Sequence, residues 1–152
     1  WRRRDIKTTQ LLSQALAYRS AREAGAKTAF MVEDGYVTEA ASANTWIVTE
    51  DDRIITRNLS SDILPGITRG HVIARLRERG LPVEERPFTP DDAYAAKEIF
   101  TTSAGAMIAP VIQLEDRPVG DGKPGPVTRQ VQRLYYEAIG ADVATAAPWA
   151  LA

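Results

Sequence analysis

Two different periods of hydrophobic and polar positions alternate along the chain. Some segments carry apolar residues at intervals of three and four, the period of a helix with one buried face. The segments that read as helices are 8–24, 68–79, 90–96 and 126–139. Gly25 and Gly80 follow the first two, and glycine is common just after the last turn of a helix.

Shorter runs between these helices, many of them β-branched, read as strands. The predicted strands are 28–33, 36–38, 45–49, 53–56, 81–88, 98–102 and 107–114. Asp34-Gly35 is typical of a tight hairpin turn, and the prolines at 81–88 favour the edge of a sheet. Because hairpins alternate with helices, the sequence predicts an α+β fold rather than a doubly wound parallel sheet.

The length of 152 residues is that of one domain. A Gly- and Pro-rich loop is predicted at 117–125, and the tail at 141–152 is expected to be poorly ordered. The sequence begins at Trp1 rather than at an initiator methionine, so we expect it to be part of a longer protein.

Charge and composition narrow the possible functions. With 19 basic and 20 acidic side chains, the chain offers no electrostatic argument for binding nucleic acid or a membrane surface. It has no cysteine and a single histidine, His71, which excludes thiolate chemistry and the usual multi-histidine metal sites. No apolar run approaches the ~20 residues that span a bilayer. We therefore expect a cytoplasmic protein without a metal, nucleic-acid or membrane partner.

The segment Arg4-Asp5-Ile6-Lys7-Thr8 directly precedes the first predicted helix. A lysine in such a place is ordinarily a solvated surface residue. The alternative is a lysine that forms a Schiff base, which requires an amine deprotonated by partial burial or by nearby positive charge. The preceding arginines supply such charge, although an ordinary basic surface has the same composition.

The segment 36–44 ends a predicted strand with Glu39, which small residues follow. An acidic residue at a strand end is ordinarily exposed to solvent. Here the small residues would also let a flat ligand approach closely. A carboxylate that faces a pyridine nitrogen keeps that nitrogen protonated and makes the ring a better electron sink.

Two further segments could bind a phosphate. In 64–69, Gly66 permits close approach of the backbone, and Thr68 adds a hydroxyl to the N–H groups that begin the next helix. The alternative is that Thr68 is only an N-cap and Gly66 only a turn residue. The hydroxyl-rich segment 101–105 could form a second side of a phosphate cup, or simply a tight turn between strands.

Together and in this order, the four segments resemble the fold-type IV enzymes that depend on pyridoxal 5′-phosphate (PLP). That family includes D-amino-acid aminotransferases, branched-chain aminotransferases and aminodeoxychorismate lyases, and the resemblance extends from Arg3 to about Tyr135. The motifs that look closest to the D-alanine aminotransferase group are Arg3-Arg4-Asp5-Ile6-Lys7, Thr38-Glu39 with Asn44, Gly66-Ile67-Thr68-Arg69 and Thr102-Ser103.

The resemblance implies a fold and a set of roles. The fold is the C-terminal domain of the family, an α+β unit with a twisted, barrel-like mixed sheet flanked by helices, here at 1–140 before the tail. Lys7 would carry PLP as a Schiff base and later move the substrate proton. Glu39 would face the pyridine nitrogen, Leu64 would pack against the ring, and Ser42 would join the hydrogen-bond network behind it.

The resemblance also implies which residues hold the phosphate of the cofactor. They are Gly66, Ile67, Thr68, Ser103 and Ala104. Two positions depart from the family pattern. Ala40 stands where a glycine usually follows the glutamate, and Ala104 stands where a threonine often binds phosphate, so that only its backbone N–H remains.

The implied activity is transamination between an amino acid, such as D-alanine, and a 2-oxo acid. The implied partners are these substrates, a second copy in a homodimer, and an N-terminal domain of the same protein that normally supplies a phosphate-binding arginine and most of the substrate pocket. Without that domain we expect the chain to be inactive. The alternatives are a branched-chain aminotransferase, an aminodeoxychorismate lyase and a non-catalytic binding or assembly domain.

Overall fold

The computed structural model describes residues 2–9, 12–146 and 148. Its helices are α1 (Leu12–Glu23), α2 (Ile67–Glu78), α3 (Pro90–Tyr94), α4 (Pro126–Ala138) and α5 (Val143–Ala146). Its strands are β1 (Phe30–Glu33), β2 (Tyr36–Ala40), β3 (Asn44–Val48), β4 (Ile54–Thr56), β5 (Val83–Glu85), β6 (Glu98–Ser103), β7 (Met107–Val111), β8 (Gln113–Leu114) and β9 (Arg117–Pro118). None of the described helices is long and apolar enough to cross a membrane.

A mixed sheet of five strands, in the order β5–β4–β3–β6–β7, forms the centre of the molecule. β4 and β5 run parallel, and the other neighbours run antiparallel. The α+β prediction is therefore confirmed, and the strand 81–88 does lie at an edge, although only Val83–Glu85 of it pairs. Prolines at 82 and 87 limit its length, since proline cannot donate to the ladder.

The predicted mixed sheet flanked by helices is confirmed, and among the described residues it is not a closed barrel. The sheet is open, with β5 and β7 at its edges, and the β1–β2 hairpin and the β8–β9 pair form separate two-stranded sheets. The chain reverses sharply after β2, so that an isolated bridge between Ala40 and Ala43 takes the place of a ladder between β2 and β3. The hairpin therefore does not extend the sheet.

Apolar side chains cover both faces of the sheet. On one face, α2 and α4 pack over a cluster centred on Trp46 and Phe100, whose rings stack with centroids 5.3 Å apart. On the other face, Ile47 and Ile99 pack with residues of β2, α3 and the loop after β9. Burial on both faces explains why β3 reads as a continuous apolar run rather than as an alternation.

The observed elements differ from the predicted ones in some bounds, in one divided strand and in two short additional elements. The helix predicted at 8–24 begins at Leu12 among the described residues, and residues 10 and 11 lie outside them. The 107–114 strand is divided into β7 and β8, and the loop at 117–125 contributes the two residues of β9. In the tail expected to be poorly ordered, α5 forms and Val143 packs against Tyr136. Residues 147 and 149–152 lie outside the described part.

A buried carboxylate ties α4 to the sheet. Glu98, at the start of β6, is 4% exposed and accepts hydrogen bonds from the N–H groups of Val127 and Thr128 at 3.0 and 2.7 Å. It also accepts the Thr128 hydroxyl at 2.8 Å. The first N–H groups of a helix have no intrahelical acceptor, so Glu98 caps α4 from a neighbouring strand. Gly125 makes this possible, because a Cβ there would collide with the Glu98 carboxyl.

We expect Gly125→Ala to destabilise the protein by about 1–3 kcal/mol, because the added methyl displaces Glu98 from the start of α4. Gly70→Ala is the matched control. Gly70 lies within α2 with open space around it, so alanine should stabilise that helix by about 1 kcal/mol. Urea denaturation of both variants measures the difference. A Gly125→Ala protein as stable as the parent would contradict the capping role of Glu98.

Candidate active site

Glu39 lies near the end of β2 with 4% of its surface exposed, so the solvent-exposed alternative is wrong. Its Oε2 accepts the backbone N–H of Leu64 at 3.0 Å. Burial raises the pKa of the Glu39 carboxyl, while the Leu64 N–H and the positive charge of Arg4 act in the opposite direction. Glu39 is thus a desolvated carboxyl with a perturbed pKa, a feature that clusters at functional sites.

Asn44 connects this carboxylate to the loop before α2. It begins β3, is 4% exposed, and its Nδ2 donates to the carbonyl of Leu64 at 2.8 Å. The backbone of Leu64 is therefore held at its N–H by Glu39 and at its carbonyl by Asn44. Gly66 lies against the same amide, because a Cβ on Gly66 would collide with Asn44 Oδ1. The loop can pass this close to β3 only with glycine at that position.

Helix α2 begins directly after this loop. We call the contacts of Asn44 with Leu64 and Gly66 the Asn44 clamp. Gly66 is the N-cap of α2, with φ −65° and ψ 133°, and no side chain caps the helix. Thr68 is buried within the first turn, so the alternative of Thr68 as an N-cap is wrong. The first helical hydrogen bond runs from Gly70 N–H to Gly66 O at 3.0 Å. The N–H groups of 67–69 therefore precede the helical ladder and suit an anion.

The turn between β6 and β7 begins at the same end of the sheet. Thr102 pairs with Asn44 across β6 and β3, and its Oγ1 accepts Trp46 Nε1 at 3.0 Å. Ser103 follows, and its Oγ accepts the N–H of Ala106 at 3.1 Å, so this segment forms a tight turn between the two strands. Ala104 is exposed in that turn. The register thus brings the 103–104 turn to the end of the sheet where Asn44 holds the 64–66 loop.

Ser42 and Lys7 stand apart from this cluster. Ser42 is exposed, and its hydroxyl shares a hydrogen bond with the Tyr18 hydroxyl of α1. The Lys7 side chain is also exposed and, within the described residues, makes no hydrogen bond or ion pair. The structure therefore links Glu39 to the 64–66 loop and places the 103–104 turn at the same end of the sheet, but it does not bring the Lys7 amine into contact with them.

Two residues of the site were missed by reasoning from the sequence alone. Asn44 was noted only as part of a motif, although a polar residue that opens an apolar strand is a signal for a buried hydrogen bond. Arg4 was grouped with Arg2 and Arg3 as generic positive charge. Nothing in the sequence separates these three, whereas their side chains are 10%, 86% and 66% exposed, respectively.

Known proteins resemble this chain in sequence. Residues 1–114 match the sequence profile of the class IV aminotransferases. The chain is 38% identical over 144 residues to the D-alanine aminotransferase of Bacillus licheniformis, which covers 95% of this chain and 50% of that protein. It is 34% identical to a probable branched-chain-amino-acid aminotransferase of Aquifex aeolicus, over 91% of this chain and 45% of that protein.

Solved structures of the same family have the same fold. The branched-chain amino acid aminotransferase from Thermobaculum terrenum in its PLP form superposes with a TM-score of 0.86 at 33% identity, over 92% of this chain and 47% of that one. A PLP-bound aminotransferase from Brucella abortus gives a TM-score of 0.80 at 31% identity, over 86% and 46%. This chain belongs to the class IV aminotransferase family, and it spans about half the length of these relatives.

The raised pKa of Glu39 predicts a pH-dependent stability difference. A carboxyl whose folded-state pKa is raised contributes stability below its ordinary pKa of 4.5 and loses that contribution as the pH rises through the folded-state pKa. In the cofactor-free protein, Glu39→Gln should therefore gain stability relative to the parent as the pH rises from about 4 to 8. Urea unfolding across this range measures the difference. A pH-independent difference for Glu39→Gln would contradict the assignment.

Proposed function

We propose that this chain is the cofactor-binding part of a PLP-dependent aminotransferase, which exchanges an amino group between an amino acid and a 2-oxo acid. The observation that carries the proposal is the link between a buried carboxylate and an uncapped helix start through one short loop. Glu39 accepts the N–H of Leu64, Asn44 holds the next carbonyl, and α2 begins three residues beyond Leu64. A ligand with a basic ring nitrogen and a phosphate requires these two features near each other.

The phosphate end of PLP fits the donors that are present. The N–H groups of Ile67 and Thr68 lie at a helix start that lacks a side-chain cap, where the helix dipole favours negative charge. The Thr68 hydroxyl and the Ser103 turn add neutral donors, and Ala104 adds a backbone N–H. The absence of a Cβ at Gly66 keeps the approach to this helix start close to β3.

The ring end of PLP fits Glu39. A buried carboxylate requires hydrogen-bond donors to remain charged, and Leu64 supplies one of them. A protonated pyridine nitrogen is a further donor of the right charge. PLP, when bound, supplies a ring that withdraws electrons from the substrate α-carbon. Glu39 would keep that ring protonated, and Leu64 would lie against it.

Lys7 is the proposed covalent attachment point and the base that moves the α-proton of the substrate. Support comes from the Asp5-Ile6-Lys7 motif and from the anchoring of its segment to the body of the molecule by Arg4, whose N–H donates to Ser61 O at 2.8 Å. The hydrogen bond between Ser42 and Tyr18 would hold α1, the helix that follows Lys7, against the β2–β3 turn.

We propose a D-amino acid such as D-alanine as the amino donor, in a cytoplasmic homodimer of a longer chain. The support is the 38% identity to a D-alanine aminotransferase together with the Arg3-to-Lys7 motif. Branched-chain L-amino acids are the second candidate, because the Thermobaculum terrenum enzyme shares this backbone. A panel of D-alanine, L-leucine and L-valine with 2-oxoglutarate, given to the full-length protein, separates the two. The isolated chain should not turn over either kind of donor, and robust activity of the isolated chain would contradict the need for a further domain.

Borohydride reduction of the PLP-loaded protein tests the covalent attachment. Reduction fixes the cofactor on the lysine that carries it, and peptide mapping then identifies that lysine. We expect the label on Lys7 and its loss in Lys7→Ala. Label on one of the other lysines, Lys27, Lys97 or Lys123, would contradict the assignment.

Loss of the Thr68 hydroxyl should weaken cofactor binding. A hydrogen bond to a charged group contributes about 1.5–3 kcal/mol, so Thr68→Ala should raise the Kd for PLP by roughly 10- to 100-fold. Thr89→Ala is the matched control. Thr89 caps α3 through Asp92 N–H, and its removal should cost stability without changing the Kd. Fluorescence titration with PLP measures the change; a Kd indifferent to both Thr68→Ala and Ser103→Ala would show that the phosphate binds elsewhere.

A further inference from the structure

Arg4 is set apart from the arginines beside it by its burial. The side chain of Arg4 is 10% exposed, whereas those of Arg2 and Arg3 are 86% and 66% exposed. Arg3 pairs with Asp5 in its own segment, and Arg2 makes one exposed ion pair with Glu33. The buried guanidinium is therefore the one directed toward the body of the molecule.

The Arg4 guanidinium contacts three separate elements. Its Nη1 donates to the Thr38 hydroxyl of β2 and, at 3.4 Å, to the carbonyl of Asp62 in the loop before α2. Its Nη2 lies 3.4 Å from Glu33 Oε2 in β1. The backbone N–H of the same residue donates to Ser61 O at 2.8 Å. Thr38 directly precedes Glu39, so Arg4 meets β2 one residue from the buried carboxylate.

We propose that Arg4 is a positioning residue of this site, which fixes the segment that carries Lys7 against β2 and presents a positive charge to the Glu39 carboxylate. The inference rests on the proposed function, because it concerns Lys7 and Glu39, which would hold opposite sides of PLP. Lys7 follows Arg4 by three residues, less than 11 Å of fully extended chain at about 3.6 Å per residue. The anchor at Arg4 therefore limits how far Lys7 can move from β2.

The other contacts of the 2–9 segment are weak by comparison. The Arg2–Glu33 pair is exposed to solvent, and exposed pairs contribute little. The backbone N–H groups of Arg4 and Asp5 both donate to Ser61 O, at 2.8 and 3.4 Å. Among the described residues, the partly buried side-chain hydrogen bonds that join this segment to the rest of the molecule are those of Arg4. Without its guanidinium, the segment keeps mainly the backbone bonds to Ser61 and an exposed ion pair, so we expect it to open more often.

The charge of Arg4 matters because of what surrounds Glu39. Burial raises the pKa of Glu39, and Arg4 is the charged side chain that opposes it. The other charged groups around Arg4 are acidic or already paired. Glu33 of β1 pairs with Arg4 itself, and Asp62 of the loop pairs with Arg57. From α1, the Tyr18 hydroxyl shares a hydrogen bond with Ser42 in the β2–β3 turn.

The test uses the cofactor-free, full-length protein and separates charge from anchoring. Carbon-13 NMR follows the titration of the Glu39 carboxyl, which Glu39→Gln identifies. Hydrogen exchange follows the amides of residues 4 and 5. Arg4→Gln should raise the pKa of Glu39 and accelerate exchange at both amides by at least about tenfold. Arg4→Lys should restore the pKa but not the protection, because an ammonium cannot reach three acceptors in the geometry of a guanidinium. Arg3→Gln is the matched control and should change neither.

Either readout unchanged in Arg4→Gln would overturn the proposal. If Arg4→Gln does not fold, Thr38→Val removes one of the two acceptors of Arg4 Nη1 while it keeps the charge. It should accelerate exchange at the amides of residues 4 and 5, and unchanged exchange would likewise overturn the proposal. Because both readouts are made without PLP, their failure is distinct from a failure of the proposed function, in which the parent protein would not bind PLP at all.

Discussion

The rest of the site depends on the hydrogen bond from the Asn44 side chain to the backbone of the loop before α2. The Asn44 amide, buried at the start of β3, donates to the carbonyl of Leu64 and leaves room for Gly66 only because glycine has no Cβ. A buried amide must satisfy its hydrogen bonds, so this contact fixes the distance between β3 and the loop. The neighbouring N–H then meets Glu39, and α2 starts at a defined place. The start of α2 is thus held near the Glu39 carboxylate by the two hydrogen bonds to Leu64 and by the three-residue step from Leu64 to Ile67.

Two buried carboxylates of this domain lie where a backbone or cationic group compensates for their charge. Glu98 accepts the first N–H groups of α4, and Glu39 accepts Leu64 while Arg4 lies nearby. The difference between them is instructive. Glu98 accepts three hydrogen bonds and has a purely structural role, whereas Glu39 accepts one and remains desolvated. A carboxylate that is buried but incompletely bonded is suited to receive a donor from a ligand.

Much of the fold follows from local patterns, because hairpin dipeptides, glycine stops and apolar periods act over a few residues. The site was predicted less evenly. Glu39, Gly66 and Thr68 lie in short motifs that can be read from the sequence. The burial of Arg4, by contrast, is decided by contacts with Thr38 and Asp62, which lie far along the chain. The separation of the β1–β2 hairpin from the central sheet is likewise not visible in strand propensities, since only an isolated bridge at Ala40–Ala43 lies between β2 and β3.

The most direct measurement is a crystal structure of the full-length protein grown with PLP. We predict that the pyridine nitrogen lies within hydrogen-bond distance of Glu39, that the phosphate accepts the N–H groups of Ile67 and Thr68 beside Ser103, and that continuous density joins the cofactor to Lys7. Electron density for the phosphate away from the start of α2, or a ring nitrogen facing a group other than Glu39, would contradict the central claim that the Asn44 clamp builds this site.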